Sequence, residues 1–406
     1  MRPFAKLTIT EKAEKSIRAG HTWVYGEEVT HAEGDYQNGE VVDVYSKKDR
    51  YLGSGFVSET SKIRVRLLSR NANDRYGEDF FRRRVEYALA YRKTVMGEDY
   101  ACCRLIFGEA DGFPGLTVDR FGDVLVTEVL SFGMDSVKDW IYTALLDCLR
   151  KEGETVSVIY ERNDSPLRQK EGLPLYSDFY KAEGLLTEDS GERIICENGI
   201  RYHINYKNGQ KTGFFLDQKY NRLSAAKIAK GKRVLDCCTH LGSFALNCAK
   251  AGAEHVTAVD ISADAIAMTE QNAILNGLEG KMDFLCVDVF DLLTKMDEEK
   301  NCPYDFIILD PPAFTKNRAT VDAAYRGYKE INRKAMKLLP RGGYLATCSC
   351  SHHMTEGLFR KMLSEAAADA SVSLRQIEAR QQCADHPILW GVPETHYLKF
   401  YLFQVI

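Results

Sequence analysis

Five short apolar runs, at residues 233–236, 255–260, 282–288, 306–310 and 343–348, are separated by stretches of helix length. Parallel strands need a crossover and a helix usually supplies it, so this rhythm predicts a doubly wound, mostly parallel α/β sheet. Ser262 is placed to cap the helix between the second and third runs, and Gly277 to end it. A helix over 354–369 and two further strand-like runs, 372–379 and 397–405, close the chain as an antiparallel pair. In such a sheet a ligand lies outside the carboxyl ends of the strands, where strand order reverses. Asp236, Asp260, Asp288 and Asp310 stand at or beside that edge.

A chain of 406 residues has length for one or two further cores. Residues 1–72 alternate apolar and polar side chains in short runs broken by glycine, the pattern of a small β-barrel or sandwich. From Asp74, a candidate N-cap, Phe81, Val85, Ala88 and Leu89 fall at helical spacing. Strand-like runs at 101–107, 116–118, 124–130 and 156–160, with a helix over 136–151, make 73–190 a mixed α+β module. A strand pair turning at Asn198-Gly199, the dipeptide a type I′ hairpin prefers, opens the third domain, 191–406.

No apolar run approaches the roughly 18 residues of a membrane span, and no signal-type apolar block follows the first residues. The twelve cysteines include Cys102-Cys103, Cys237-Cys238 and Cys348-Ser349-Cys350, spacings that suit reduced thiols. A cytoplasmic protein with no membrane partner is expected. The net charge of −4 conceals an asymmetry: residues 1–95 hold 18 basic against 14 acidic side chains, and the rest 36 against 44. Within the front part, Arg82-Arg83-Arg84 lies in a basic stretch that reads either as a solvated charged face or as a surface tracking phosphates.

The turn Asp236-Cys237-Cys238-Thr239-His240-Leu241-Gly242-Ser243 holds one glycine where a dinucleotide fingerprint needs three, so close approach to a pyrophosphate is unsupported. That disfavours a nicotinamide-dependent dehydrogenase. A cofactor without phosphates fits better. Asp260, 24 residues beyond Asp236, can accept both hydroxyls of a ribose, and Asp288 ends the third run, where an adenine would lie. Each carboxylate alone has a plainer role as turn former or helix cap. In Asp310-Pro311-Pro312-Ala313-Phe314 the prolines cannot continue a central strand and stiffen the turn. Asp310 is thereby presented to a nucleobase amino group, with Phe314 able to stack on the base. After the fifth run, Cys348 and Cys350 share one strand face and Cys350 stands nearer the rim, where a thiol of lowered pKa can act as nucleophile with help from His352 or His353. Ligands so close along a strand lack the loop spacing of a structural zinc site, and no metal is expected.

The stretches Gly20-His21-Thr22-Trp23-Val24-Tyr25, Phe107-Gly108-Glu109-Ala110-Asp111-Gly112-Phe113-Pro114-Gly115-Leu116-Thr117-Val118-Asp119-Arg120, Tyr160-Glu161-Arg162-Asn163-Asp164, Lys211-Thr212-Gly213-Phe214-Phe215-Leu216-Asp217-Gln218, Asp310-Pro311-Pro312-Ala313-Phe314, Ser349-Cys350-Ser351, Ala384-Asp385-His386-Pro387 and Tyr397-Leu398-Lys399 follow one another in order. Over essentially its full length the chain resembles the bacterial PUA-domain RNA methyltransferases that modify C5 of a cytosine in 23S ribosomal RNA. The resemblance implies a Rossmann-like class I methyltransferase domain, an N-terminal PUA-like β domain and a central α+β domain. It implies S-adenosylmethionine (SAM) as cofactor, with Gln218, Asp236, Gly242, Asp260, Asp288 and Asp310 at its site. It also implies Cys350 as nucleophile, Asp310 on the base edge, and 23S ribosomal RNA or a ribosomal assembly particle as partner; Phe314 and the run Arg82, Arg83 and Arg84 are the candidate RNA contacts read from the residues themselves, and a second copy of the chain is a further candidate. Leu241 and Ser243 stand where many methyltransferases have glycine, and no cysteine lies beside Pro311-Pro312 to release product, so the proton acceptor is unassigned. Methylation of a guanine or adenine nitrogen, without covalent catalysis, and a non-catalytic RNA-binding assembly factor stay open as alternatives.

Overall fold

The computed structural model describes residues 2–315 and 318–406. Near the front, alternating small β-branched and polar residues form β1 (Lys6–Ile9), β2 (Trp23–Tyr25), β3 (Val29–Glu33), β4 (Val41–Ser46), β5 (Tyr51–Val57) and β6 (Ile63–Ser69). They join in the order β2-β6-β5-β4-β1-β3. The helix α1 (Glu11–Arg18) starts at Thr10, whose hydroxyl accepts the Ala13 N–H at 3.3 Å. It packs Ala13 and Ile17 into a core with Leu7, Val24, Val42 and Val65. The elements β1, β3 and α1 are not legible from periodicity, each being too short to show one.

The helix α2 (Glu78–Met96) begins after Gly77, three residues beyond Asp74, with no side-chain cap. Asp74 instead accepts from Ser69 and Asn71, closing the preceding loop, which is why it does not cap the helix. Then come β7 (Cys102–Phe107), β8 (Leu116–Phe121), β9 (Val124–Val129), α3 (Phe132–Lys151), β10 (Val158–Asn163) and β11 (Tyr176–Phe179), a sheet of order β11-β10-β9-β8-β7. The parallel pair β9–β10 is joined through α3, as parallel pairing requires. Buried arginines knot this sheet to a distant piece of chain. Arg92, with no exposed surface, forms a fork on Asp111 at 2.5 and 2.7 Å and donates to the main-chain carbonyls of Arg104 and Asp385. Arg104 in turn grips Asp119 at 2.6 and 2.8 Å, and its own N–H donates to the Asp385 carboxylate at 2.8 Å.

By contact density the chain divides into two compact units: residues 1–193, 204–216 and 384–395 form the first, and 194–203, 217–383 and 396–406 the second. The hairpin β12 (Glu192–Glu197) and β13 (Ile200–Asn205) turns through Asn198 at φ 56° and Gly199 at φ 71°, the left-handed pair that a type I′ turn needs.

The second unit is built on α4 (Lys219–Ala226), β14 (Arg233–Cys237), α5 (Ser243–Lys250), β15 (His255–Asp260), α6 (Ala263–Asn276), β16 (Met282–Cys286), α7 (Val289–Glu299), β17 (Phe306–Leu309), α8 (Val321–Leu338), β18 (Tyr344–Ser349), α9 (Glu356–Asp369), β19 (Leu374–Arg380) and β20 (Lys399–Val405). The sheet runs β16-β15-β14-β17-β18-β20-β19, parallel from β16 to β18, with β20 antiparallel to both its neighbours. This is the doubly wound α/β class with its antiparallel finish. Leu293 of α7, Tyr328 and Ile331 of α8, and Phe359 and Met362 of α9 share a core with the sheet residues Leu235, Ile307, Leu345 and Tyr401. Strand order reverses between β14 and β17, so their carboxyl ends open the crevice where a ligand belongs.

Candidate active site

Four carboxylates gather at that edge, and each is held differently. Asp236 lies inside β14, 1% exposed; its Oδ2 accepts the Thr239 hydroxyl at 2.6 Å and the Ala245 N–H at 3.0 Å, so it braces the turn and the start of α5. Burial, the largest influence, pushes its carboxyl up to about 7. Asp260 ends β15 half-buried, its Oδ2 accepting from His240 N and its Oδ1 from Ser262 N, both at 3.0 Å. Asp288 lies beyond β16 and caps α7, Oδ1 accepting from Phe290 N at 2.7 Å and Asp291 N at 3.3 Å. Asp310 follows β17 and receives the Gln218 amide at 3.1 Å. Burial first, then the charge of Asp217, pushes the Asp310 carboxyl up to about 6.

The turn between Asp236 and α5 is unusual in its backbone. Cys238 at φ 63° and His240 at φ 55° take left-handed conformations normally left to glycine, and Gly242 at φ 77° follows. Where a fingerprint would use three glycines, this chain uses one and strains two other residues. Helix α6 holds the turn: Thr269 donates to His240 O at 3.0 Å and Asn272 to Leu241 O at 3.2 Å. A Cβ on Gly242 would come within 2.6 Å of the Thr269 methyl, so no larger residue fits there unless α6 moves.

These residues suit an adenosyl group. Each Asp260 oxygen accepts one backbone N–H and keeps a lone pair for a ribose hydroxyl. Beside the carboxylates, Ile261 and Val287 leave 70% and 40% of their surface exposed, an apolar pair able to take the faces of a flat ring. Gln218 is buried at 3% exposure, its amide given to Asp310 and its carbonyl accepting from Asn221 at 2.6 Å. It therefore positions Asp310. Asp217 beside it accepts the Tyr397 hydroxyl at 2.6 Å.

On the far side of Asp310 the two cysteines part company. Cys348, within β18, is fully buried and its thiol is pushed up well above the usual range by that burial. Cys350 lies past the strand end and is half-buried. The Ser351 hydroxyl donates to Thr315 O at 3.0 Å, fixing the loop. Phe314 sets its ring 4.5 Å from that of Tyr328 and 6.1 Å from that of Phe290, so part of it belongs to the core. Lys399, which the sequence offers only as the end of a stretch that carries the resemblance and to which it gives no role, stands here too. It is 3% exposed, bonded to the carbonyls of Ser351 at 2.6 Å and Tyr397 at 2.7 Å, and burial draws its amine down to about 8. Its signal in the sequence is a single cation opening the run Lys399-Phe400-Tyr401-Leu402-Phe403. Among the described residues, no cluster of His, Cys, Asp and Glu is arranged to hold a metal ion.

In the first unit the three arginines of α2 separate. Arg82 pairs with Asp147 at 3.0 Å and Glu78 at 3.3 Å. Arg84 is turned inward onto the carbonyls of Leu68 and Gly112, and a Cβ on Gly112 would strike it. Arg83 alone is exposed, and with Tyr87, 69% exposed, and Tyr91, 37% exposed, it forms a stripe at successive turns of α2. The stripe borders a cleft of about 540 Å³ that Phe80 and Asp111 also line.

Comparison with known proteins agrees with this architecture. Residues 7–70 match the PUA-like domain and residues 175–404 the S-adenosylmethionine-dependent methyltransferase family. Proteins called ribosomal RNA large subunit methyltransferase I are similar throughout: that of Aliivibrio fischeri is 37% identical over 97% of both chains, and that of Klebsiella pneumoniae 36% over 99% of both. The one from Shewanella denitrificans is 40% identical over 95% of this chain and 96% of its own. Among solved structures, a putative SAM-dependent methyltransferase from Streptococcus mutans shares the fold with a TM-score of 0.81 at 22% identity, covering 98% of this chain and 99% of its own. A putative methyltransferase complexed with SAH shares it with a TM-score of 0.82 at 23% identity and the same coverage. Two domains in the expected order, a SAM-type edge on a doubly wound sheet and full-length similarity place this chain in the ribosomal RNA large subunit methyltransferase I family, as a SAM-dependent methyltransferase carrying an N-terminal PUA-like domain.

Proposed function

We propose that this enzyme transfers the methyl group of SAM to C5 of a cytosine in 23S ribosomal RNA, with Cys350 as nucleophile. The observation that carries the reading is the contrast between the cysteines: Cys348 is sealed in β18, while Cys350 stands half-buried just past the end of that strand, which pairs with β17, the strand that Asp310 follows. The names of the full-length relatives support RNA of the large ribosomal subunit as substrate. When bound, SAM supplies an electrophilic methyl on sulfur. Asp260 would accept the ribose hydroxyls, Asp288 would stand by the adenine, and Asp236 and Gly242 would hold the turn around them.

C5 of cytosine is a poor nucleophile until the ring is made an enamine. Cys350 would add through sulfur to C6, C5 would take the methyl group as the methyl–sulfonium bond breaks with S-adenosylhomocysteine as leaving group, and a base would take the C5 proton as the C6–S bond breaks to free the thiolate. Asp310, steadied by Gln218, accepts the exocyclic amino group, and the exposed part of Phe314 lies against the base. The target must be unpaired or flipped to enter. Arg83, with the exposed tyrosines of α2, is the RNA contact this reading retains from the arginine run, and 1–72, 73–190 and 191–406 are its domains. RNA carrying 5-fluorocytosine at the target should trap a covalent adduct on Cys350, seen by mass spectrometry, since fluorine cannot leave as the proton does. Full methylation by Cys350→Ala would sink the reading and leave a purine nitrogen as the acceptor.

A further inference from the structure

Lys399 is a buried charge that the chemistry above leaves without a part. Lys399 opens β20, in register with Ser349, the last residue of β18. A lysine 3% exposed in an apolar strand is costly unless its charge is compensated. Its ammonium carries three N–H bonds, and two go to the carbonyls of Ser351 at 2.6 Å and Tyr397 at 2.7 Å. Neither acceptor carries a charge. Of the ionisable groups around it, Cys350 acts on Lys399 most strongly, ahead of Glu356.

We propose that Lys399 is the positioning residue that keeps Cys350 a thiolate: its ammonium is pinned on the carbonyls of Tyr397 and of Ser351, the residue after Cys350, and turns its remaining N–H to the sulfur. The proposal rests on Cys350 being the nucleophile. On ionisation the S–H bond breaks, its electron pair stays on sulfur and the proton passes to solvent, while Lys399 keeps all three hydrogens. When the C6–S bond breaks at the end of the cycle, the returning thiolate meets the same cation. Such a partner is what lowers a thiol below its ordinary range of about 8.5. Lys399, drawn down to about 8, is still cationic at neutral pH, and a sulfur anion offsets its desolvation.

The other groups facing this pair act less directly. Glu356 of α9 is exposed and accepts the Tyr401 hydroxyl at 3.0 Å. His396 is lowered by burial, with Lys399 and His352 acting on it in the same direction. Tyr328 of α8 and Cys348 are pushed up, chiefly by burial, and Asp310 and Cys350 act on both in the same direction.

The test is the pH dependence of iodoacetamide alkylation at Cys350 in the full-length enzyme, followed by peptide mass spectrometry. Wild type should alkylate with an apparent pKa at least one unit below the ordinary thiol value. Lys399→Gln, which keeps hydrogen-bond donors without the charge, should raise it by a unit or more and slow alkylation at pH 7 about tenfold, a unit being a factor of ten in thiolate. Lys399→Arg should restore most of it. In methyl transfer, Lys399→Gln should lower kcat and shift its acid limb upward while KM for SAM is unchanged. An ordinary thiol pKa in wild type overturns the proposal without any variant, as does a Lys399→Gln profile that overlies wild type. Activity in Cys350→Ala would instead remove the nucleophile reading itself.

Discussion

A carboxyl group sealed in a sheet is most comfortable neutral, and Asp236 illustrates the consequence. Its pKa stands near 7 instead of 3.8 because burial outweighs the bonds from Thr239 and Ala245. A carboxyl raised on folding binds its proton more tightly in the native state, so its contribution is best below about pH 4 and is lost as pH rises towards 7. At about 1.4 kcal/mol per unit, the loss over that window is on the order of 4 kcal/mol. Asp236→Asn keeps one acceptor oxygen for the turn and has nothing to ionise. Urea denaturation should therefore find the variant gaining on wild type between pH 5 and pH 8, and a pH-independent difference would refute this. The residue scale is also where the sequence was least transparent. Asp236, Asp260, Asp288 and Asp310 could be assigned to one edge because strand ends are legible, but Lys399 could not. Its partners Ser351 and Tyr397 lie on either side of a strand pairing that spans about fifty residues, and local pattern does not register such pairings.

At the scale of elements, apolar runs of four to seven residues translated directly into β14 to β18, since a strand covered on both faces, as β14, β15, β17 and β18 are, is apolar along its length. Caps followed the same logic at Ser262 and Gly277. Asp74 did not, because a nearby loop supplied Ser69 and Asn71 and took the carboxylate first. The knot of Arg92, Asp111, Arg104, Asp119 and Asp385 was equally hidden, although Asp111, Asp119 and Asp385 lie in stretches that carry the family resemblance. Those stretches therefore have a structural reason to resemble: they hold α2, β7 and β8 to residues 384–395. Removing one member of a buried ion pair leaves a charge uncompensated, at about 3–5 kcal/mol. Arg92→Met should lose stability of that size in chemical denaturation, while loss below about 1 kcal/mol would show the knot to be dispensable.

On the whole-molecule scale the basic front of the chain is thinner than its arithmetic suggests. Arg82 and Arg84 are engaged within the fold, so only Arg83 of the run is offered to a partner, beside Tyr87 and Tyr91. Aromatic faces next to a cation suit unpaired bases, each stacking contact being worth about 1–3 kcal/mol. Arg83→Glu with Tyr87→Ala should weaken RNA binding at least tenfold and lower its salt slope by about one, with SAM affinity unchanged in calorimetry. RNA affinity equal to wild type would make the stripe an ordinary solvated face. The path of the chain has one more consequence. It passes between the two units five times, at 193, 203, 216, 383 and 395, so neither can be completed from a contiguous stretch. During synthesis the first unit must wait for residues 384–395, which emerge well after residues 1–216. A nascent chain that has not yet reached them leaves the Arg92 guanidinium short of the Asp385 carbonyl.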